Sequence, residues 1–281
     1  MYSYIVELVN RAMSLHLFIT STALNFFMDA KSFFAEKLRE RLGKCNIITN
    51  NCDNITQLGN RIWLGYGLRS LDKELYGKVI DTCLGISLLK KGKEIKADYI
   101  LKKDGVEFTE KDLGEFPHGP EIIIDLRFFN KMLEKEKISC VNQILYSYSI
   151  VSKSYFLSKF KVVNYNDEFL DMYKHTKAPE KILIEKFEEE CVVLDPYAEE
   201  ELKQIENKRY LILGLVDRGN REKGISKKLA EEHGWERVKI GEGAKHILTI
   251  DQVVHYLVLL IHGVDYKEAL MKVLPKRKTK V

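Results

Sequence analysis

The chain has 281 residues, 45% hydrophobic and 31% charged, with a formal net charge of +4. That length gives one to two domains with room for a sizeable core, and the balance of apolar and charged residues excludes a disordered or low-complexity chain. The charge permits a nucleic-acid partner without demanding one, so its distribution matters more than its total.

The amino terminus carries an apolar stretch over residues 13–27, with Leu15, Leu17, Phe18, Ile19, Leu24, Phe26 and Phe27 interrupted by His16 and Asn25. It is too short and too polar for a membrane span, so no membrane association is expected. Asp29 stands where a signal peptide would need small residues. Two readings of 1–28 stay open: an amphipathic packing helix, or a leader ahead of Met28. Residues 29 or 31 to 42 then read as a helix, with Phe34, Leu38 and Leu42 four apart and Gly43 as the stop. Residues 46–67 are polar and Asn-rich, predicting irregular structure with short strands. Residues 71–84 are expected to hold a helix. Residues 97–101 and 106–108 read as two strands about the turn Lys103-Asp104-Gly105. Pro117, Gly119 and Pro120 mark a boundary, so residues 29–117 form a small α+β domain.

From residue 121 strands and helices alternate. Strands are predicted over 122–126, 161–165, 191–194, 210–216 and 237–240, with a strand or short helix over 180–187. Helices are predicted over 131–149 and 198–206. Another contains Ile225 and Leu229 and is ended by Gly234. A last one is opened by the capping pair Thr249 and Gln252 and ends near Gly263. This alternation implies a mostly parallel sheet with helices on both faces over 118–265, followed by a basic helix or tail over 266–281.

The five cysteines are odd in number and widely spaced, which fits a reducing, cytoplasmic setting rather than a disulfide framework. Cys140 and Cys191 read as core fillers. His233, His255 and His262 lack metal-ligand spacing, and no metal is assigned. Lys90, Lys91, Lys93, Lys96, Lys102 and Lys103 form one basic cluster, and Lys272, Lys276, Arg277, Lys278 and Lys280 a second. Each is either an electrostatic footprint for RNA phosphates or a solubilising surface.

The last third holds the densest chemistry. An apolar strand runs into Gly214-Leu215-Val216-Asp217, a second strand ends in Ile240-Gly241-Glu242-Gly243, and a capped helix follows Ile247-Leu248-Thr249. Three strand-to-helix corners of this kind can converge at one edge of a parallel sheet, where open α/β sheets bind ligands. Asp217 stands just beyond a buried strand. It is either a cleft-facing carboxylate or an ordinary turn aspartate.

The tract 210–217 followed by Ile247-Leu248-Thr249-Ile250-Asp251-Gln252-Val253 resembles the SPOUT methyltransferases that modify N1 of the purine at tRNA position 9. So does Glu121-Ile122-Ile123-Ile124-Asp125-Leu126-Arg127, with Met132, Glu136, Ile138, Ser139 and Gln143. The likeness covers residues 120–262. It implies a SPOUT-type α/β fold with a trefoil knot, S-adenosylmethionine as cofactor, tRNA as partner and a monomer. It implies that Leu213, Gly214, Leu215, Ile240, Gly241, Gly243, Ile247, Leu248, Thr249 and Val253 hold the cofactor, with Asp217 the catalytic residue. RNA contacts are expected of Arg127, Gln143 and Arg218, and of Lys91, Lys93 and Lys102 in the amino-terminal domain. Two alternatives remain at this stage: a SPOUT-like RNA-binding or assembly protein without methyl transfer, and a SPOUT enzyme acting on another RNA site.

Overall fold

The computed structural model describes residues 29–176, 178–243 and 247–274. The apolar stretch before residue 29, Lys245, His246 and the tail lysines beyond 274 lie outside them. Asp29 caps the first helix, α1 (Ala30–Leu42), by accepting the Ser32 amide at 3.0 Å, and Gly43 ends it at φ 70°. The buried face of α1 is Ala30, Phe33, Phe34, Ala35 and Leu38. Strand β1 (Cys45–Ile48) follows, then α2 (Ile55–Trp63). This second helix corrects the expected irregular stretch. Its signal is Asn54, which accepts the Gln57 amide at 2.8 Å, ahead of Ile55, Leu58 and Ile62 on one buried face.

Strands β2 (Gly67–Ser70), β3 (Tyr76–Cys83), β4 (Ile86–Lys91), β5 (Ile95–Lys96) and β6 (Tyr99–Lys102) complete a mixed sheet in the order β2-β6-β1-β4-β3-β5. The helix expected in 71–84 is therefore strand β3. Its β-branched Val79, Ile80 and Thr82 favour the pleated form, and its exposure largely alternates along the strand. The expected pairing about Lys103-Asp104-Gly105 is also corrected. β6 pairs with β2, and Phe108 bridges to Leu68 of β2 rather than to β6. Backbone donors on both sides of β2 are satisfied by that arrangement.

After α3 (Glu110–Leu113) the chain enters a second six-stranded sheet. Its strands are β7 (Glu121–Asp125), β8 (Phe160–Val163), β9 (Leu183–Ile184), β10 (Val192–Leu194), β11 (Arg209–Leu213) and β12 (Glu236–Val238). The order is β12-β10-β11-β7-β8-β9, and every pairing is parallel. Continuous apolar runs such as Tyr210 to Leu213 are buried on both faces, as parallel strands require. The intervening helices are α4 (Glu134–Ser154), α5 (Asp167–Lys174), α6 (Ile225–His233), α7 (Ile250–Ile261) and α8 (Tyr266–Val273). The helix expected over 198–206 is absent. That stretch is extended, with Leu202 donating to the Lys239 carbonyl and Lys239 to the Glu200 carbonyl, both at 2.8 Å. Pairing with the chain beyond β12 supplies the backbone bonds that a helix would have made.

The two sheets share one core. Phe33 and Phe34 of α1 meet Phe156, edge-on, at centroid distances of 5.4 and 5.5 Å. Asn60 of α2 is buried and fully bonded. Its amide donates to the Ser152 and Tyr155 carbonyls at 3.0 and 2.7 Å, and its oxygen accepts the Leu157 amide at 3.0 Å. Cys140 and Cys191 are buried, as expected of core fillers. No helix among the described residues is long and apolar enough to cross a membrane.

Candidate active site

Because β10, β11 and β12 are parallel, their carboxyl ends open on one side of the sheet, and the loops that leave them meet there. They enclose a cavity of about 300 Å³. Its lining includes Leu194 to Tyr197 after β10, Leu213 and Leu215 to Arg218 after β11, and Val238, Ile240 and Gly243 after β12. Ile247 to Ile250 and Val253 close it from the start of α7. Eight of the ten residues expected at a cofactor site thus lie on one wall system: Leu213, Leu215, Ile240, Gly243, Ile247, Leu248, Thr249 and Val253. Asp217, Gln143 and Arg218 line the same space.

Gly214 and Gly241 stand behind it. Gly214 donates to the Asp125 carbonyl at 2.8 Å, and a Cβ there would lie 2.4 Å from Leu126 Cδ2. Its carbonyl accepts the Cys140 thiol at 3.3 Å, and burial pushes that thiol up to about 12, so it stays protonated. A Cβ on Gly241 would lie 2.5 Å from Leu270 Cδ2. Both glycines permit close packing behind the wall.

The start of α7 is held by two devices. Thr249 and Gln252 form the expected capping box, with the Thr249 amide donating to Gln252 Oε1 at 3.0 Å. Gln143 of α4 reaches across and accepts the Ile250 amide at 2.9 Å, while its own amide nitrogen donates to Ser139 Oγ at 3.0 Å. Both ends of the Gln143 side chain are therefore used inside the protein, which differs from the surface position of an RNA contact. Gln143→Ala should leave the buried Ile250 amide without its acceptor, costing about 1–3 kcal/mol. Urea denaturation checks this, and an unchanged midpoint and slope would show that water or the loop replaces the bond at no cost.

The floor beside Asp217 is an ionic cluster. Asp217 Oδ2 accepts the Glu222 amide at 2.7 Å, and Oδ1 accepts Arg221 Nε at 3.4 Å. Glu136 is buried at the start of α4. It accepts the Leu133 amide at 2.9 Å and the Arg218 amide at 3.1 Å, and the Arg221 guanidinium pairs with it as well. Burial by itself would raise both carboxyls. The amides and the Arg221 guanidinium outweigh it, and both are held below the ordinary carboxylate range.

A carboxyl depressed in the folded state binds its proton more weakly there than in the unfolded chain. The stability it contributes is complete above the ordinary carboxylate range and is withdrawn as pH falls through the depressed value. Arg221→Met removes part of that depression. The acid unfolding midpoint, followed by circular dichroism, should move to higher pH. A midpoint equal to the wild type's would show that the amides alone set both carboxyls.

Arg127 lies elsewhere. It pairs with buried Asp125 at 2.8 Å, and Asp125 also accepts the Asn164 amide at 3.0 Å. Its guanidinium is thus committed within the protein. Arg218 is exposed at the rim and makes no ion pair with any described residue. Lys91, Lys93 and Lys102 line a separate groove on the first sheet. Lys272 pairs with Glu268 at 2.8 Å.

Sequence reasoning missed the loop after β10. Asp195 is buried and takes Arg237 at 2.8 Å and the Tyr197 amide at 3.0 Å, which sets the Pro196-Tyr197 wall. An acid, a proline and an aromatic after an apolar run was the available signal, obscured by the helix expected over 198–206. Arg221 and Lys223 were also missed. Lys223 lies 5.1 Å from the Tyr197 ring centroid. Loop charges give no periodic signal, and only the fold brings them to Glu136 and Tyr197.

Known proteins share this sequence pattern and fold. The chain is 33% identical over 135 residues to a tRNA (guanine(9)-/adenine(9)-N1)-methyltransferase of Thermococcus kodakarensis, spanning 44% of this chain and 36% of that protein. It is 28% identical over 211 residues to a tRNA (guanine(9)-N1)-methyltransferase of Candida glabrata, spanning 68% of this chain and 71% of the relative. Its fold matches Sulfolobus acidocaldarius Trm10, solved in complex with S-adenosylhomocysteine, at a TM-score of 0.61 and 21% identity over 89% of this chain and 86% of that one. Residues 89–279, more than half of the sequence, match the profile of the tRNA (guanine(9)-N(1))-methyltransferase TRM10/TRM10A family, and the chain belongs to that family.

Proposed function

We propose that the protein is an S-adenosylmethionine-dependent methyltransferase acting on N1 of the purine at position 9 of tRNA. The observation that carries this reading is the convergence of the corners 194–197, 213–218 and 240–243, together with residues 247–250, on one cavity with the Asp217 carboxylate among its lining groups. The residues present fit the cofactor. Leu194, Leu213, Leu215, Leu248 and Val253 supply apolar walls, and at Gly243 the backbone approaches Pro196 so closely that a Cβ would meet its carbonyl oxygen at 2.3 Å.

When bound, the cofactor supplies a methyl group already activated on a sulfonium. The protein's part is alignment and electrostatics. Leu213, Leu215, Leu248 and Val253 would hold the cofactor, which would supply the methyl to N1 of the purine and leave as a neutral thioether. Adenine N1 brings its lone pair ready, and the methylated ring becomes cationic. Guanine N1 carries a proton that must leave. Asp217, held ionised by Glu222 and Arg221, is a weak base but a fixed negative charge. It stabilises positive charge at N1 in either purine, and for guanine it gives the departing proton a first acceptor. Arg218 at the rim and the basic groove of the first sheet are placed to take tRNA phosphates.

The carboxyl part of the chain is read as the SPOUT trefoil knot. What supports this is the seating of Gly243 against Pro196 and the Tyr256 hydroxyl donating to the Leu202 carbonyl at 2.7 Å, which tie the segment after β12 to the loop after β10. The unit 29–117 contributes RNA contacts, the enzyme works as a monomer, and the unpaired cysteines suit a cytoplasmic setting. The test is incubation of the full chain with bulk unmodified tRNA and labelled S-adenosylmethionine. Nucleoside and fragment mass mapping should find N1-methyl purine at position 9. Label at another site, or none at all, would reject the assignment.

A further inference from the structure

The first sheet has a ligand-sized feature of its own. β1 lies between β4 and β6 and runs parallel to both, so the carboxyl ends of three adjacent strands open on the same edge. Open sheets bind ligands in such crevices. Here the crevice is a groove of about 550 Å³, lined by Thr49, Asn50 and Asn51 after β1, Lys91 to Lys93 after β4, and Lys102 at the end of β6. Glu74, Leu75 and Tyr76 form the opposite side.

The side chains there are arranged for a particular chemistry. Thr49 is buried and its hydroxyl accepts the Asn51 amide at 3.1 Å, which shapes the turn carrying the exposed Asn50 and Asn51. Lys91, Lys93 and Lys102 are exposed and pair with no acid among the described residues. By contrast, nearby Lys90 is taken by Asp53 at 2.9 Å. The single carboxylate in the lining, Glu74, is offset by Lys96 at 2.7 Å. Tyr76 is 42% exposed beside Leu75, and its hydroxyl donates to Glu74 at 3.2 Å. Three unpaired ammonium groups, two exposed carboxamides and a half-exposed ring match a phosphate, a base edge and a base face.

We infer that this groove holds one unpaired nucleotide of the tRNA substrate, its base stacked on Tyr76 and its flanking phosphates on Lys91, Lys93 and Lys102. The inference rests on the tRNA reading above. The groove shares no lining residue with the methyl-transfer cavity, so the enzyme would identify its substrate by a splayed nucleotide as well as by position 9.

The test uses the full chain and an unmodified tRNA transcript in filter binding, with S-adenosylhomocysteine affinity and thermal midpoint as fold controls. Tyr76→Ala should weaken tRNA about tenfold with both controls unchanged, as loss of one stacked base does. Tyr76→Phe should bind as the wild type, because the ring and not the hydroxyl carries the contact. The triple change Lys91→Gln, Lys93→Gln and Lys102→Gln should lower the salt slope by about two to three. Wild-type affinity in Tyr76→Ala together with an unchanged slope in the triple variant overturns the inference. So does a groove that binds 5′-AMP in a Tyr76-dependent way while tRNA binding ignores Tyr76, since it is then a free-nucleotide site. A wild-type protein that methylates no tRNA yet binds it through Tyr76 would reject the proposed function and leave this site standing.

Discussion

Asp217→Asn should slow methylation of a guanine-9 transcript by about a hundredfold or more in single turnover, the range of a lost proton acceptor. On an otherwise identical adenine-9 transcript the loss should be on the order of tenfold, because only a fixed charge is removed. The fold tolerates the change. Asn keeps an oxygen for the Glu222 amide, and Arg221 keeps Glu136. Cofactor affinity should stay constant, since the walls around Leu213, Ile240 and Leu248 do not depend on this charge. The pH profile adds a second readout. Asp217 is held below the ordinary carboxylate range, so it is ionised throughout neutral and alkaline pH. Any rise in rate with pH on the guanine transcript then belongs to the base, and the variant should keep it. Wild-type rates of the Asp217→Asn variant on both transcripts would return Asp217 to a turn-forming role.

Gly243→Ala should abolish most cofactor binding. Gly243 has φ 62°, where an L side chain costs about 1–2 kcal/mol, and the new methyl would meet the Pro196 carbonyl oxygen at 2.3 Å and Lys239 Cδ at 3.2 Å. Pro196 and Gly243 are both cavity walls, so relief of the clash moves the site itself. Calorimetry with S-adenosylhomocysteine should show affinity down by at least about tenfold, one strained contact being worth that much. Gly219→Ala is the control. A Cβ there would touch Arg221 at only 3.4 Å, and binding should be retained. Wild-type affinity in Gly243→Ala would mean that the cofactor sits elsewhere or that the loop yields freely.

Several elements are legible in the sequence. The run from Tyr210 to Leu213, the capping pair Thr249 and Gln252, and the glycine stops at Gly234 and Gly43 are local signals, because a short stretch, one residue's conformation or one side-chain bond decides each. So is the corner carrying Asp217. The errors share a cause. Residues 71–84 and 198–206 have helix-compatible spacing, yet each finds its backbone partners on another strand, β3 on β4 and the stretch 200–202 on Lys239. A long-range ladder outweighs a weak local preference, and sequence spacing does not record it.

What the sequence by itself determined was the class of the second sheet and the corners at its carboxyl edge, since buried parallel strands need unbroken apolar runs and tight corners need glycine. What only the tertiary structure decided was which charges act on which. Glu136 and Arg221 are 85 residues apart in the chain, and they join Asp217 because α4 packs beside the loop after β11. Lys91 and Lys102 share a groove because β4 and β6 flank the same strand. Electrostatic interaction falls with distance in space and is indifferent to separation along the chain, so the depressed carboxyl of Asp217 and the groove lysines that meet no acid among the described residues become visible only once the sheets are closed.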